Sequence, residues 1–248
     1  LHGSIHSFPT RRSSDLLAYL VRRLLENGAN SSFVHQLADP SVGTELLLRS
    51  PLQPAVVPGQ PAPVALYGPG RANSRGLDLA VPEQRAPLLA AVAGAAVPPV
   101  AEATPVDVAA TMDRLQAGFD AWCAQPVAAR AAVVARAGQL LETQLPGFCG
   151  LLAAEAGKTL GDAVAEVREA IDFCRYYAQQ AAEKLQPIAL PGPTGESNEL
   201  RLHGRGVFVC ISPWNFPLAI FAGQVVAALV TGNAVAAKPA EQTPGVAA

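Results

Sequence analysis

From position 106 onward, apolar residues recur every three or four positions along alanine-rich segments. The pattern predicts helices over 107–123, 127–144, 147–156 and 160–184. In the last of these, Val164, Val167, Ile171, Cys174 and Ala178 form one stripe, so a core-facing helix is expected with Glu166, Glu169 and Arg175 turned outward. Residues 187–205 change character: Pro-Gly and Gly-Glu-Ser-Asn turn signals separate short apolar runs, which predicts a hairpin. Val207-Phe208-Val209-Cys210-Ile211 is a continuous apolar run suited to a strand buried on both faces. A helix over 217–231 follows, with Pro217 in its first turn and Gly232 just past its end, and then a second buried strand, Ala234-Val235-Ala236-Ala237. Strand, helix and strand in that order predict one parallel crossover.

The first hundred residues are patterned differently. Leu17-Ala18-Tyr19-Leu20-Val21-Arg22-Arg23-Leu24-Leu25-Glu26-Asn27-Gly28 carries leucines at helical spacing before an Asn-Gly stop, and predicts a short amphipathic helix. Between positions 50 and 105 lie 11 of the 22 prolines, so this stretch is expected to connect units, with a short helical piece around 83–92. Ser7-Phe8-Pro9-Thr10-Arg11-Arg12-Ser13-Ser14-Asp15-Leu16 reads as one frame of a common sequencing adapter, the alternative being a basic tail. The expected division is an artefactual segment at 1–16, a native unit at 17–49, a linker at 50–105 and an α/β unit at 106–248.

Composition narrows the function. With 18 basic and 20 acidic side chains in 248 residues, the formal charge is -2, which gives no electrostatic footprint for nucleic acid. Cys123, Cys149, Cys174 and Cys210 stand 25 to 36 residues apart, with no CxxC pair and no histidine cluster beside them. That spacing argues against zinc and against a disulfide framework, and fits a reducing, cytoplasmic setting. No charged leader with a short apolar run opens the chain, so secretion is not expected. The most apolar stretch, 216–230, is 15 residues long and is interrupted by Gly223 and Gln224, so it predicts a buried helix in preference to a membrane span.

Two segments carry recognisable chemistry. Ile211-Ser212-Pro213-Trp214-Asn215-Phe216-Pro217, followed after the next strand by Lys238-Pro239-Ala240-Glu241-Gln242-Thr243-Pro244, resembles the aldehyde dehydrogenase superfamily over about 106–248. Glu155-Ala156-Gly157-Lys158 and the helix end at 172–177 resemble the segment that precedes the family's sheet. The fold this implies is α/β: an incomplete doubly wound, Rossmann-like NAD-binding domain of aldehyde dehydrogenase type, preceded by helices and a linker. Residues 19–34 are similar to the last helix of the proline dehydrogenase barrel, and the two resemblances in one chain imply a bifunctional proline-catabolic family.

The resemblance implies roles residue by residue. Asn215 would donate its side-chain amide to the oxyanion formed when a thiolate attacks an aldehyde, although an Asn at this place is also a ready N-cap for the 217–231 helix. Lys238 and Glu241 would bind the ribose hydroxyls of NAD beside Ile211, Ser212, Pro213 and Trp214, the alternative being a surface ion pair. Phe216 would line the substrate channel, or simply pack. At the other end, Arg22 and Arg23 would hold the carboxylate of proline while Tyr19, on the same helix face, packs beside FAD; a solvated basic patch is the alternative.

The parent activity so implied is oxidation of proline by FAD to pyrroline-5-carboxylate, then of glutamate semialdehyde by NAD to glutamate, through thiohemiacetal formation and hydride transfer. The family's nucleophilic cysteine and glutamate base have no counterpart in these residues, so the chain alone is expected to be inactive. The 187–205 hairpin resembles the family's oligomerisation arm and implies a homo-oligomer, and peripheral membrane association of the parent stays open. Two other readings remain: a stand-alone aldehyde dehydrogenase of different specificity, and a catalytically dead module that serves assembly.

Overall fold

The computed structural model describes residues 33–48, 50, 59, 61–62 and 65–248. The predicted helix at 17–28 and the segment 1–16 lie outside the described residues. Backbone contacts divide the chain into two units, 1–60 and 61–248. In the first, helices α1 (Phe33–Ala38) and α2 (Thr44–Leu47) are joined by a turn in which the Asp39 carboxylate accepts from the Ser41 amide at 2.9 Å and from its hydroxyl at 2.6 Å.

The second unit is built from five helices, a hairpin and a strand–helix–strand crossover. Its helices are α3 (Pro82–Ala93), α4 (Pro105–Cys123), α5 (Val127–Thr143), α6 (Leu145–Ala156) and α7 (Leu160–Lys184). The predicted helices therefore form, with ends shifted by no more than two residues. Their starts have local causes. Thr104 accepts from the Asp107 amide at 3.3 Å while the Asp107 carboxylate accepts from the Thr104 amide at 2.9 Å, a reciprocal cap that opens α4 before Pro105. Thr159 caps α7 by accepting from the Asp162 amide at 3.2 Å, and Gly157, at φ +64°, ends α6 in a left-handed conformation that side chains other than glycine's resist.

The core is centred on α7. Val164, Val167, Ile171, Cys174 and Ala178 are all buried, as the stripe predicts, and pack against α5, α6 and the crossover helix. Glu166 departs from expectation. It is 1% exposed, because its position is three residues after buried Ala163 and four before buried Ala170, on the flank of the same stripe. Glu169 is exposed as expected, and Arg175 is half-buried in an ion pair with Glu142. Arg130 is also buried: its guanidinium donates to the carbonyls of Val230 at 3.0 Å and Cys123 at 3.1 Å and to that of Gln125, serving carbonyls at the C-terminal ends of two helices.

Within the Pro-rich 50–105 stretch, expected to be a linker, the residues from Ser74 onward contribute to this core. Helix α3 forms where a helical piece is expected and seats Leu88, 1% exposed, against α6. Upstream, Ser74 donates its amide and hydroxyl to the Asp172 carboxylate at 2.7 and 2.8 Å, pinning the extended segment before α3 onto α7. The α3–α6 contact is close. A Cβ on Gly150 would lie 2.6 Å from the Ala91 carbonyl oxygen. Gly150→Ala is therefore expected to lose stability, since overpacking costs about 1–3 kcal/mol against a helix-propensity gain of about 1 kcal/mol. A denaturant midpoint that stays level or rises would show that α3 does not pack this tightly.

Strands β1 (Ile188–Leu190) and β2 (Asn198–Leu200) pair antiparallel, forming the predicted hairpin. Strands β3 (Val207–Ile211) and β4 (Ala234–Lys238) pair parallel, joined by α8 (Ala219–Val230), and α4 packs against both strands. The expectation of strands buried on both faces is corrected here. Cys210 is buried, but Phe208, Val209 and Ile211 are exposed. A parallel strand is shielded on both faces only within a wider, doubly layered sheet, and the β3–β4 pair is two strands wide.

Candidate functional site at the carboxyl edge of the parallel strands

Because β3 and β4 run parallel and in register, their carboxyl ends lie side by side. Ile211 is opposite Lys238, and the Ser212 amide donates to the Lys238 carbonyl at 3.1 Å. The loops that follow, 212–218 and 239–246, therefore meet at one edge, the place where open α/β sheets bind ligands. The Thr243 hydroxyl donates to the Trp214 carbonyl at 3.5 Å and ties one loop to the other.

This edge gathers eight of the residues singled out in the sequence. Ile211, Trp214, Asn215, Phe216, Lys238 and Glu241 are exposed there, Pro213 is half-buried, and Ser212 is buried with no hydrogen-bond partner for its hydroxyl oxygen among the described residues. Tyr19, Arg22 and Arg23 lie outside the described residues. The Lys238 ammonium stands 3.4 Å from the Glu241 carboxylate and 3.1 Å from the Pro239 carbonyl. Hydrogen bonding to its own backbone amide, reinforced by Lys238, holds the Glu241 carboxyl below the ordinary carboxylate range. At neutral pH the pair thus offers one anionic acceptor and one cationic donor to solvent. These suit a vicinal diol, whereas the Ser212 hydroxyl is buried behind the strand end.

The structure separates the two readings of Asn215 as far as capping goes. The N-cap position of α8 is Leu218, which has no capping side chain, and the first amides of the helix are served from another element. Glu166 of α7 accepts from the Leu218 amide at 2.8 Å and the Ala219 amide at 3.2 Å. Asn215 is therefore not the cap, and its side chain sits exposed at the strand edge. Glu166 was not legible as a site residue. The available signal was a carboxylate at a stripe position of a core-facing helix, where burial demands a partner.

That partner is Lys158, whose ammonium lies 2.6 Å from the second Glu166 oxygen and 4.2 Å from the centre of the Phe216 ring. Three of the four cysteines, Cys149, Cys174 and Cys210, are buried. Burial pushes the Cys149 and Cys174 thiols up to about 11 and also raises Cys210. Among the described residues, no three His, Cys, Asp or Glu side chains are grouped to hold a metal ion, and no helix is long and apolar enough to cross a membrane.

Comparison with known proteins agrees with the two resemblances. Residues 6–36 match the proline dehydrogenase family model, and residues 81–248 match that of the aldehyde dehydrogenase family. The bifunctional protein PutA of Escherichia coli K12 is 42% identical over 97% of this chain, and the chain spans 20% of that protein's length. A 1-pyrroline-5-carboxylate dehydrogenase of Anoxybacillus flavithermus is 44% identical over 55% of the chain, covering 26% of that protein. A crystal structure of bifunctional proline utilization A superimposes with a TM-score of 0.73 at 52% identity, over 94% of this chain and 24% of that one. The chain thus spans about a fifth to a quarter of these relatives. The family match extends through α3 to α8 and includes both strand-edge loops; the chain belongs to the aldehyde dehydrogenase family.

Proposed function

We propose that the chain is a section of a bifunctional oxidoreductase of proline catabolism, in which proline is oxidised with FAD and glutamate semialdehyde with NAD. One observation carries this reading: a proline dehydrogenase match at 6–36 and an aldehyde dehydrogenase match at 81–248 stand in that order on one chain, as in the bifunctional relatives that align over nearly all of it. A stand-alone aldehyde dehydrogenase gives no account of the first match.

Within the aldehyde reaction, NAD when bound supplies the hydride acceptor. Glu241 and Lys238 would hold ribose hydroxyls, with Ile211, Ser212, Pro213 and Trp214 forming the adjoining wall. Asn215 would donate to the substrate oxygen as negative charge develops, and Phe216 would flank the aldehyde. Tyr19, Arg22 and Arg23 would bind proline beside FAD. The β1–β2 hairpin exposes Ile188, Leu190, Leu200 and, just beyond it, Leu202, an apolar surface suited to pairing with a second copy. Four free cysteines suit a cytoplasmic location.

The test is to assay the full-length protein with proline, an artificial electron acceptor and NAD. Proline-dependent dye reduction and NADH formation from proline are expected together. NADH from aldehydes with no response to proline would replace this reading with a stand-alone dehydrogenase. A folded protein inert in both assays would favour an assembly module.

A further inference from the structure

The turn between α6 and α7 contacts both strand-edge loops. From Glu155, at the end of α6, one carboxylate oxygen accepts from the Gly245 amide at 2.7 Å and the other from the Val246 amide at 2.8 Å, in the loop that follows β4. Three residues on, past the left-handed Gly157, Lys158 reaches the other loop by lying over the Phe216 ring and pairing with Glu166. Glu166 in turn holds the amides of Leu218 and Ala219 at the start of α8, immediately after Asn215-Phe216-Pro217. The geometry is specific in space as well as in charge. A Cβ on Gly245 would lie 2.9 Å from a Glu155 carboxylate oxygen and 2.6 Å from Val97, so only glycine lets the loop come this close.

We propose that Glu155, Lys158 and Glu166 form a positioning unit that holds the two loops through separate contacts, in addition to the Thr243–Trp214 bond that joins them: Glu166 with Lys158 sets the Asn215 loop, and Glu155 sets the loop carrying Lys238 and Glu241. The inference rests on the functional reading above. Its physical basis is that a buried carboxylate is held in place only while all its partners are present. Glu166 is 1% exposed and divides its two oxygens between a cation and two backbone amides, so displacing it moves α8 and the residues leading into it. Among the described residues, the hydrogen bonds of Glu155 go to the second loop and those of Glu166 to the end of the first. Each glutamate therefore controls a different property. Asn215 acts on the substrate oxygen, so Glu166 governs turnover; Lys238 and Glu241 act on ribose, so Glu155 governs cofactor affinity.

The experiment uses the full-length protein and the variants Glu155→Gln, Glu166→Gln and the double variant Glu166→Gln with Lys158→Met. Gln at 166 keeps an acceptor for the α8 amides but presents N–H groups to the Lys158 ammonium, and the double variant removes that conflict and guards against a single variant that does not fold. Amide exchange is read at Leu218 and Ala219 and at Gly245 and Val246, alongside turnover with glutamate semialdehyde and the dissociation constant for NAD. In Glu166→Gln, exchange is expected to quicken at Leu218 and Ala219 alone and turnover to fall about tenfold or more, with NAD affinity kept, since small misplacement of a reacting group is costly. Glu155→Gln is expected to quicken exchange at Gly245 and Val246 alone and to weaken NAD about tenfold, leaving turnover at saturating NAD unchanged. The double variant should regain part of the lost turnover. Exchange that quickens at both loops in either single variant, or loop-selective exchange with unaltered kinetics, overturns the proposal. A wild-type protein that oxidises no aldehyde with NAD overturns the functional reading instead, and the exchange pattern still reports whether the two loops are held separately.

Discussion

Replacing Asn215 with alanine in the full-length enzyme is expected to lower aldehyde turnover by about 100 to 1000-fold, the usual cost of removing one oxyanion donor. NAD affinity should change little, because in the proposed function the side chain serves the substrate oxygen while Lys238 and Glu241 serve the ribose. The structure sharpens the alternative. Loss of an N-cap would cost about 1 kcal/mol of stability and leave the folded enzyme active. But α8 begins after Leu218, and its leading amides already have the Glu166 carboxylate. The denaturant midpoint of Asn215→Ala should therefore stay close to that of the wild type while turnover collapses. A lowered midpoint with near-normal turnover would return Asn215 to a structural role and sink the oxyanion assignment.

How much of this was legible in the chain depends on the range of the signal. The β3–α8–β4 crossover was readable because its signals are local: two continuous apolar runs, a helix of the right length between them, and Gly232 at φ +92° to end it. Helices α4 to α7 were readable for the same reason. The two site loops were found as motifs, and the parallel register that makes them neighbours follows from the crossover. What sequence patterning did not show is which charged residues turn inward. Arg130 and Glu166 both look like ordinary surface charges at the flank of a helix stripe. Each is buried because backbone groups far away in sequence need it, the Val230 carbonyl for Arg130 and the Leu218 and Ala219 amides for Glu166. Glu155 enters the sequence pattern only through a resemblance. Its contact with Gly245 and Val246 spans some ninety residues, so no local window contains it. The apolar runs predict parallel strands, and β3 and β4 pair that way, but their burial is a property of the surrounding layers, which one strand's composition does not specify.

The 248-residue chain by itself is expected to oxidise no aldehyde, and the reason lies in the placement of its thiols. Covalent aldehyde oxidation needs a thiolate within reach of the substrate carbon beside Asn215. Cys149 and Cys174 are 0% and 1% exposed, and desolvation pushes both up to about 11, so they stay protonated at neutral pH. Cys210 is buried within β3 and raised for the same reason. Cys123 is the last residue of α4, and its carbonyl shares the Arg130 guanidinium with the carbonyl of Val230 at the C-terminal end of α8. Since α8 leads away from the carboxyl edge of β3 to the start of β4, Cys123 is at the edge opposite Asn215. Thiol labelling near pH 8 should accordingly reach Cys123 first and Cys149 and Cys174 only as the protein unfolds. The pH dependence has a definite sign: burial raises the folded-state values, so the stability these two thiols contribute is complete below about 9 and is lost as pH rises through about 11. The decisive assay supplies glutamate semialdehyde and NAD to the isolated chain and follows NADH absorbance. Formation above a protein-free control, abolished by mutation of any one of these four cysteines, would show that the fold brings a thiolate to Asn215 after all.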